Sequence, residues 1–338
     1  MKRQSGAPAP PARTAAGTGV GAVRLGDVAI VESAGVVKRF GATMALAGVD
    51  MAIGEGVTGL LGANGAGKTT LLTLILGLRN RDDGRLSVLG ADPTTAGPEV
   101  RQRLGFAPEH HQLPGDMTAA DLVAHIARMH GLPKVGATQR ASDTLWEVGL
   151  GEERFRPIGT MSTGQLQRVK LAQAVAHHPE LVILDEPTDG LDPMQRADML
   201  GLISRLATEH GIHMLISSHH LEEVERVCNS VVMLDAGRVT RAGQISDLTV
   251  GGTGVIVEVY ERAADLAGAL AATGLEARAD NDEVVRVAAT EARPAETTDA
   301  VRDAVADLGL RLRSILPEHR SLAEVFGASA GAAGSAAP

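Results

Sequence analysis

The sequence predicts an α/β fold: a mostly parallel β-sheet flanked by helices, joined to an antiparallel β layer, a helical insertion and a small α+β unit. Three observations carry that prediction. A short apolar run over residues 56–61 stops at a glycine-rich turn, and the residues of a buried helix follow over 69–78. Runs with strand character at 181–184, 213–217 and 231–234 return later, with a helical pattern over 194–209 between the first two, the alternation expected of parallel strands with crossover helices. Beyond a cluster of glycines at 249–254 the order changes to strand, helix, strand, strand, helix, strand.

Taken in order, residues 1–26 are rich in Ala, Pro, Gly and Thr and read as a disordered tail. They lack the apolar block of a secretory signal, so the expectation is a cytoplasmic tail. Residues 28–37 and 45–53 have the β-branched, alternating character of strands, interrupted by Gly41, Gly48 and Gly54, and predict a small antiparallel layer. From about 113 to 178 there is no strong strand but several helical patterns, at 119–130, 141–148 and 164–176, which predict a helical insertion. The last part reads as strand 255–260, helix 263–272, strands 275–279 and 284–287, helix 298–308 and strand 311–316, the pattern of a ferredoxin-like unit. The expected domains are therefore 27–248, with its helical subdomain at about 113–178, and 255–328, with a second disordered tail at 329–338. No internal repeat of the first domain is visible.

At 338 residues the chain exceeds one ordinary domain, and its 44% hydrophobic and 22% charged content suits a soluble protein with a large core. Aromatic residues make up only 2%, so the core must be built of Leu, Val, Ile and Ala, and an aromatic in a loop, such as Phe40, becomes a candidate for a special role. A formal net charge of −9 without a dense basic stripe argues against a protein that grips nucleic acid. The single cysteine, Cys228, excludes an internal disulfide and a multi-cysteine metal cluster, fits a reducing compartment and reads as a small apolar filler. The apolar stretch 71–78 is far shorter than the roughly 20 residues a membrane helix needs.

The chemistry concentrates in two segments. Gly62-Ala63-Asn64-Gly65-Ala66-Gly67-Lys68-Thr69-Thr70 satisfies G-x-x-x-x-G-K-[ST] between a strand and a helix. Glycines let successive N–H groups curl inward, where with the positive end of the following helix they bind polyphosphate oxygens. Lys68 adds a point charge for the β and γ phosphates, and the Thr69 hydroxyl is placed to ligate Mg²⁺. The second segment, Leu181-Val182-Ile183-Leu184-Asp185-Glu186, is an apolar strand ending in two carboxylates: Asp185 is suited to the Mg²⁺ shell and Glu186 to orienting or deprotonating an attacking water. The adjacent histidine pairs His110-His111, His177-His178 and His219-His220 raise a metal alternative. Neighbouring side chains diverge on strands and helices, so solvated or packed histidines are the better reading for all except His219.

With Met161-Ser162-Thr163-Gly164-Gln165 just before a helix, and His219 after the third strand, residues 31–248 resemble the nucleotide-binding subunit of an ABC transporter. The resemblance implies a P-loop NTPase fold with a RecA-like parallel core, and ATP with Mg²⁺ as cofactors. It places Phe40 where an aromatic stacks on adenine, Glu109 at the metal-touching Q-loop position, Asp192 in the D-loop Gly190-Leu191-Asp192, and His219 at the switch histidine that meets the γ-phosphate. Ser162, Gly164 and Gln165 correspond to the signature Leu-Ser-Gly-Gly-Gln, which reaches the ATP of a second copy, so hydrolysis is expected to require a head-to-tail dimer. Thr163 stands where the family has its first signature glycine, Met161 where it has Leu, and Glu109 where it has Gln. The catalytic set implied is Lys68, Glu186 and His219; the metal set is Thr69, Glu109 and Asp185.

The ending Ser321-Leu322-Ala323-Glu324-Val325-Phe326 is similar to one common in type-2 exporter subunits, and with Glu109 it favours an exporter-type ATPase. The expected partner is a separately encoded integral-membrane permease that moves a drug, lipid or other amphipathic compound, holding the subunit to the inner face of the cell membrane. Family members that act on DNA or the ribosome are the other class. They carry coiled-coil insertions or two nucleotide-binding halves, neither visible here; a regulatory ATP binder without turnover is disfavoured by Lys68, Glu186 and His219.

Overall fold

The computed structural model describes residues 29–109, 113–249, 254–288, 294–318 and 321–325. Both predicted tails, and the pair His110-His111, lie outside them. Two glycine-punctuated runs pair antiparallel as β1 (Val31–Phe40) and β2 (Thr43–Ile53). β3 (Val57–Leu61), with all its residues buried, and α1 (Lys68–Ile75) follow. β4 (Asp83–Val88) then returns to β1, completing a three-stranded layer in the order β2-β1-β4. Sequence patterning assigns no strand there, because β4 opens on Asp83, Gly84 and Arg85 and buries only Leu86 and Val88.

α2 (Gly97–Gln102) leads to β5 (Leu104–Ala107), a second strand too short for a periodic signal. The helical insertion holds α3 (Ala119–Met129), α4 (Lys134–Glu147) and α5 (Thr163–Val175). α4 begins at Lys134 rather than at 141, since its polar first half buries only Ala137. β6 (Leu181–Asp185), α6 (Pro193–His210), β7 (His213–Ser218), α7 (Leu221–Val227) and β8 (Ser230–Asp235) alternate as expected. β9 (Arg238–Gln244), polar and unpredicted, folds back antiparallel on β8 before α8 (Ile245–Thr249). The sheet order is β5-β6-β7-β3-β8-β9, parallel from β5 to β8.

Strand periodicity divides the core between the two faces of this sheet. Leu181, Ile183 and Leu215 pack with Leu46, Val49, Leu71 and Ile75 of the antiparallel layer and α1, while Val182, Leu184, Met214 and Ile216 pack with α3, α4, α5 and α6. Burial on both faces is why these strands read as continuous apolar runs rather than alternating ones. Gly105 lets α5 lie against β5, because a Cβ there would overlap the Ala174 carbonyl.

β10 (Gly254–Val259), α9 (Ala263–Ala272), β11 (Ala277–Ala279), β12 (Val284–Ala288), α10 (Pro294–Asp307) and β13 (Leu312–Pro317) follow the strand-helix-strand-strand-helix-strand order read from the sequence. Their antiparallel sheet runs β11-β12-β10-β13 over a core that includes Val257, Leu266, Leu270, Val285 and Val301. Past that sheet, Leu322 is fully buried with Leu61, Val224 and Val231, so the last described residues lie against the end of β3 and α7.

Candidate active site

The C-terminal ends of β3, β6 and β7 lie side by side, the place where open parallel sheets hold ligands. From the end of β3 the chain turns through residues 62–67. Gly65 (φ 85°) and Gly67 (φ 108°) take the left-handed conformations that this turn needs, and a Cβ at Gly67 would sit 2.7 Å from the Ala45 carbonyl oxygen. α1 then starts at Lys68 with no side-chain cap on its first N–H groups. An uncapped helix N-terminus behind a glycine turn is an anion site. Ala66 is buried and its carbonyl accepts from the Gly237 N–H at 3.0 Å, pinning the loop to the turn between β8 and β9.

The Lys68 ammonium donates to the Gly62 carbonyl at 2.6 Å and lies 3.2 Å from Glu186 Oε1, with both side chains less than a tenth exposed. The loop cation is thus held over the mouth of the turn by the carboxylate of the residue that follows β6. Glu186 sits at φ 50°, a conformation non-glycine residues rarely adopt, and its N–H donates to the Ser217 Oγ at 3.0 Å. Its second oxygen, Oε2, is 2.9 Å from His219 Nδ1. The same Ser217 hydroxyl donates to Asp185, so one serine on β7 orients the Asp185 carboxylate and holds the Glu186 backbone. Sequence reasoning missed Ser217; a serine fully buried in an apolar strand is the signal that could have found it.

Asn64, Gly65, Gly67, Lys68, Thr69, Thr70, Glu109, Asp185 and Glu186 line one cleft of about 250 Å³. Ala63 of the turn, with Thr43, Met44 and Ala45, completes its wall, and these last three carried no sequence signal. Phe40 is not among the lining residues: it is 40% exposed, pairs in register with Thr43, and has the Lys38 and Arg79 cations 5.6 and 5.1 Å from its ring centre. His219, with its ring 41% exposed, reaches the cleft only through Glu186.

Ser162, Gly164, Gln165 and Asp192 do not line this cleft. Ser162 caps α5: its hydroxyl accepts from the Gln165 N–H at 3.3 Å, and the Gln165 side chain accepts from the Ser162 N–H at 3.0 Å. Gln165 also donates to Glu153 at 2.5 Å. Asp192 caps α6 by accepting from the Gln195 N–H at 2.8 Å. The Thr163 methyl lies 3.3 Å from where a Gly190 Cβ would stand, so the extra side chain is accommodated against the segment before α6. Among the described residues no group of three or more His, Cys, Asp and Glu is placed to hold a metal ion, and His177 stacks on His130 at 3.6 Å rather than pairing with His178.

A family model for ABC transporters matches residues 46–189. Among similar proteins, the linearmycin resistance ATP-binding protein LnrL of Bacillus subtilis is 33% identical over 230 residues, spanning 67% of this chain and 74% of that protein. The daunorubicin resistance ATP-binding protein DrrA3 of Streptomyces coeruleorubidus is 32% identical over 307 residues, spanning 89% of this chain and 96% of that protein. Among solved structures, cbiO1 of Clostridium perfringens, part of the ABC transporter complex cbiONQ, aligns with a TM-score of 0.59 at 28% identity over 64% of this chain and 88% of that one. With a phosphate-binding turn, a paired acid and histidine at its mouth, and a relative matched over nearly its whole length, the chain belongs to the ATP-binding subunits of ABC transporters and is an ABC-type ATPase.

Proposed function

We propose that this ATPase powers a separately encoded membrane permease, exporting a drug, lipid or other amphipathic compound, and that it hydrolyses ATP as a head-to-tail dimer. The observation that carries the catalytic part is the Glu186 carboxylate, held at the mouth of the phosphate turn between Lys68 and His219. When ATP enters, Lys68 turns from Gly62 and Glu186 to the β and γ phosphates, while Gly62, Asn64, Gly65, Ala66, Gly67 and Thr70 wrap them with backbone and side-chain donors. Glu186, relieved of its cation, orients and deprotonates the attacking water, and His219 donates towards the γ-phosphate. Phe40 stacks on adenine from the rim of the cleft.

The residues fit Mg²⁺. Thr69, Asp185 and Glu109 bring hard oxygen donors to one cleft with the phosphate turn, and this ion binds through one or two carboxylates, waters and substrate phosphates. Bound there it would neutralise charge on the β and γ phosphates.

Dimerisation is supported by the setting of exposed Ser162 and half-buried Gln165 outside their own chain's cleft, from which they would meet the ATP of a second copy together with Gly164 and Asp192. Export is supported by the resistance functions named for LnrL and DrrA3, and by a match to DrrA3 long enough to take in the C-terminal α+β unit at 255–328 as well as the ATPase unit at 27–248. No helix among the described residues is long and apolar enough to cross a membrane. Attachment to the inner face of the cell membrane through the permease is therefore part of the proposal. Glu186→Gln tests it: turnover is expected to fall at least about 100-fold with ATP still bound, and light scattering should show an ATP-dependent dimer accumulating. Undiminished hydrolysis, or a mass indifferent to ATP, overturns the catalytic or the dimer reading respectively.

A further inference from the structure

α7 begins two residues after His219 and carries a buried carboxylate that the catalytic scheme does not use. Glu223 is 6% exposed. Its Oε2 accepts from two hydroxyls, Thr188 Oγ1 at 2.8 Å and Ser218 Oγ at 2.9 Å, and its Oε1 faces Arg196 Nε at 3.3 Å. Thr188 and Ser218 are themselves almost wholly buried.

One hydroxyl lies in the turn after β6, and the other is on the last residue of β7, at the start of the next turn. Thr188 lies two residues past Glu186, in a tight turn where the Asp189 N–H donates back to the Glu186 carbonyl at 3.1 Å. Ser218 immediately precedes His219, and its hydroxyl also accepts from the His220 N–H at 3.0 Å, which shapes the turn that presents the histidine. Arg196 adds a third tie, on α6, beyond the Asp192 cap. One carboxylate oxygen therefore joins the turn after β6 to the turn after β7. Those two turns carry the groups that meet in the 2.9 Å contact between Glu186 Oε2 and His219 Nδ1.

Burying an ion has a desolvation cost that a single, partly exposed arginine does not fully offset, so fold stability alone is a weak account of this carboxylate. A charged acceptor does hold two hydroxyls more firmly than a neutral one. We propose that Glu223 is a positioning residue for ATP hydrolysis: by bridging Thr188 and Ser218 it sets the separation of the two turns and keeps His219 within hydrogen-bond reach of Glu186. The inference rests on the roles given above to Glu186 and His219.

The test is a double-mutant cycle on the full chain, with steady-state hydrolysis and ATP affinity measured for every variant. Glu223→Ala is expected to lower kcat about 10- to 100-fold, the effect of misplacing a catalytic group by about 1 Å, with ATP affinity changed by less than about threefold. Glu223→Gln, whose amide oxygen can still accept both hydroxyls, recovers part of the loss. His219→Ala, costly in the parent chain, costs little more in the Glu223→Ala background, because the contact it removes is already displaced.

Equal costs of His219→Ala in both backgrounds overturn the positioning role, as does a loss that falls on ATP affinity instead of kcat. Where thermal melting shows that Glu223→Ala does not fold, Thr188→Val, which removes one hydroxyl without stranding a charge, takes its place in the cycle: a reduced cost of His219→Ala supports the positioning role and an equal cost overturns it. If His219→Ala leaves hydrolysis unchanged in the parent chain, the role of His219 itself fails and the inference falls with it. That outcome is distinct from an additive cycle on a functional histidine.

Discussion

The phosphate turn and the Ser162 segment each open a helix, and they treat its first N–H groups in opposite ways. α1 begins behind Gly67 without a side-chain cap, and Lys68 donates to Gly62 and pairs with Glu186. α5 begins with a reciprocal cap, in which Ser162 and Gln165 satisfy each other's backbone donors. An open N-terminus keeps its donors for a ligand, whereas a capped one is stable as it stands. Under the proposed function the cleft is accordingly the side of the site that takes phosphate, while the Ser162 segment is a prefolded surface. The Ser162 hydroxyl hydrogen, and the Gln165 amide hydrogen not given to Glu153, are the donors it would offer to a second copy under the dimer reading.

The contrast between open and capped helix starts is tested most severely at Lys68. Lys68→Ala is expected to remove most nucleotide affinity, about 30- to 100-fold in a titration, as suits the loss of charge-assisted bonds worth about 2–3 kcal/mol. It should also lower the melting temperature of the nucleotide-free protein, because Glu186 is left buried without its cation. Unchanged affinity would mean that the turn is not the phosphate site.

A smaller effect is expected at the capped start. Ser162→Ala removes the α5 cap at a cost of about 1 kcal/mol of stability, and under the dimer reading it also lowers turnover about tenfold while ATP binding to the separate subunit is unchanged. Stability loss without loss of turnover would reduce Ser162 to a cap.

The smallest effect lies just beyond the far end of the same helix. Burial, with the stacked His130 ring as the second cause, pushes the His177 imidazole down to about 4, while its Nε2 meets the Leu104 carbonyl at 2.9 Å. The unfolded chain takes up this proton near the ordinary histidine value, so the stability that neutral His177 represents is present above about pH 6.5 and is lost as pH falls towards 4. Melting temperatures between pH 7 and pH 5 should therefore fall less for His177→Gln than for the parent, by on the order of 1 kcal/mol in stability. Parallel curves would remove this histidine from the acid response.

Much of the molecule is legible in the sequence where one segment contains its own explanation. The turn Gly62 to Thr70 needs only its glycines, Lys68 and a strand-helix setting, and β6 announces itself as an apolar run ending in an acid because it is buried on both faces. The C-terminal strand and helix order is equally visible in local periodicity. β4, β5 and β9 are not, since they are short or polar and become strands only by pairing with β1, β6 and β8. Strand pairing is a property of the neighbour as much as of the residue.

That this protein carries a polyphosphate turn and two adjacent acids suited to hydrolysis follows from the chain alone, because those functions reside in residue types at fixed short spacing, whereas the part of His219 is implied only by the family resemblance. Which of these groups meet is a matter of the folded arrangement. Ser217, Thr188, Ser218 and Glu223 come from separate segments, and no spacing along the chain foretells that they converge on the Glu186 and His219 pair. Hydrogen bonds act over about 3 Å, and residues far apart in the chain reach that distance only once the parallel sheet has laid the ends of β6 and β7 side by side.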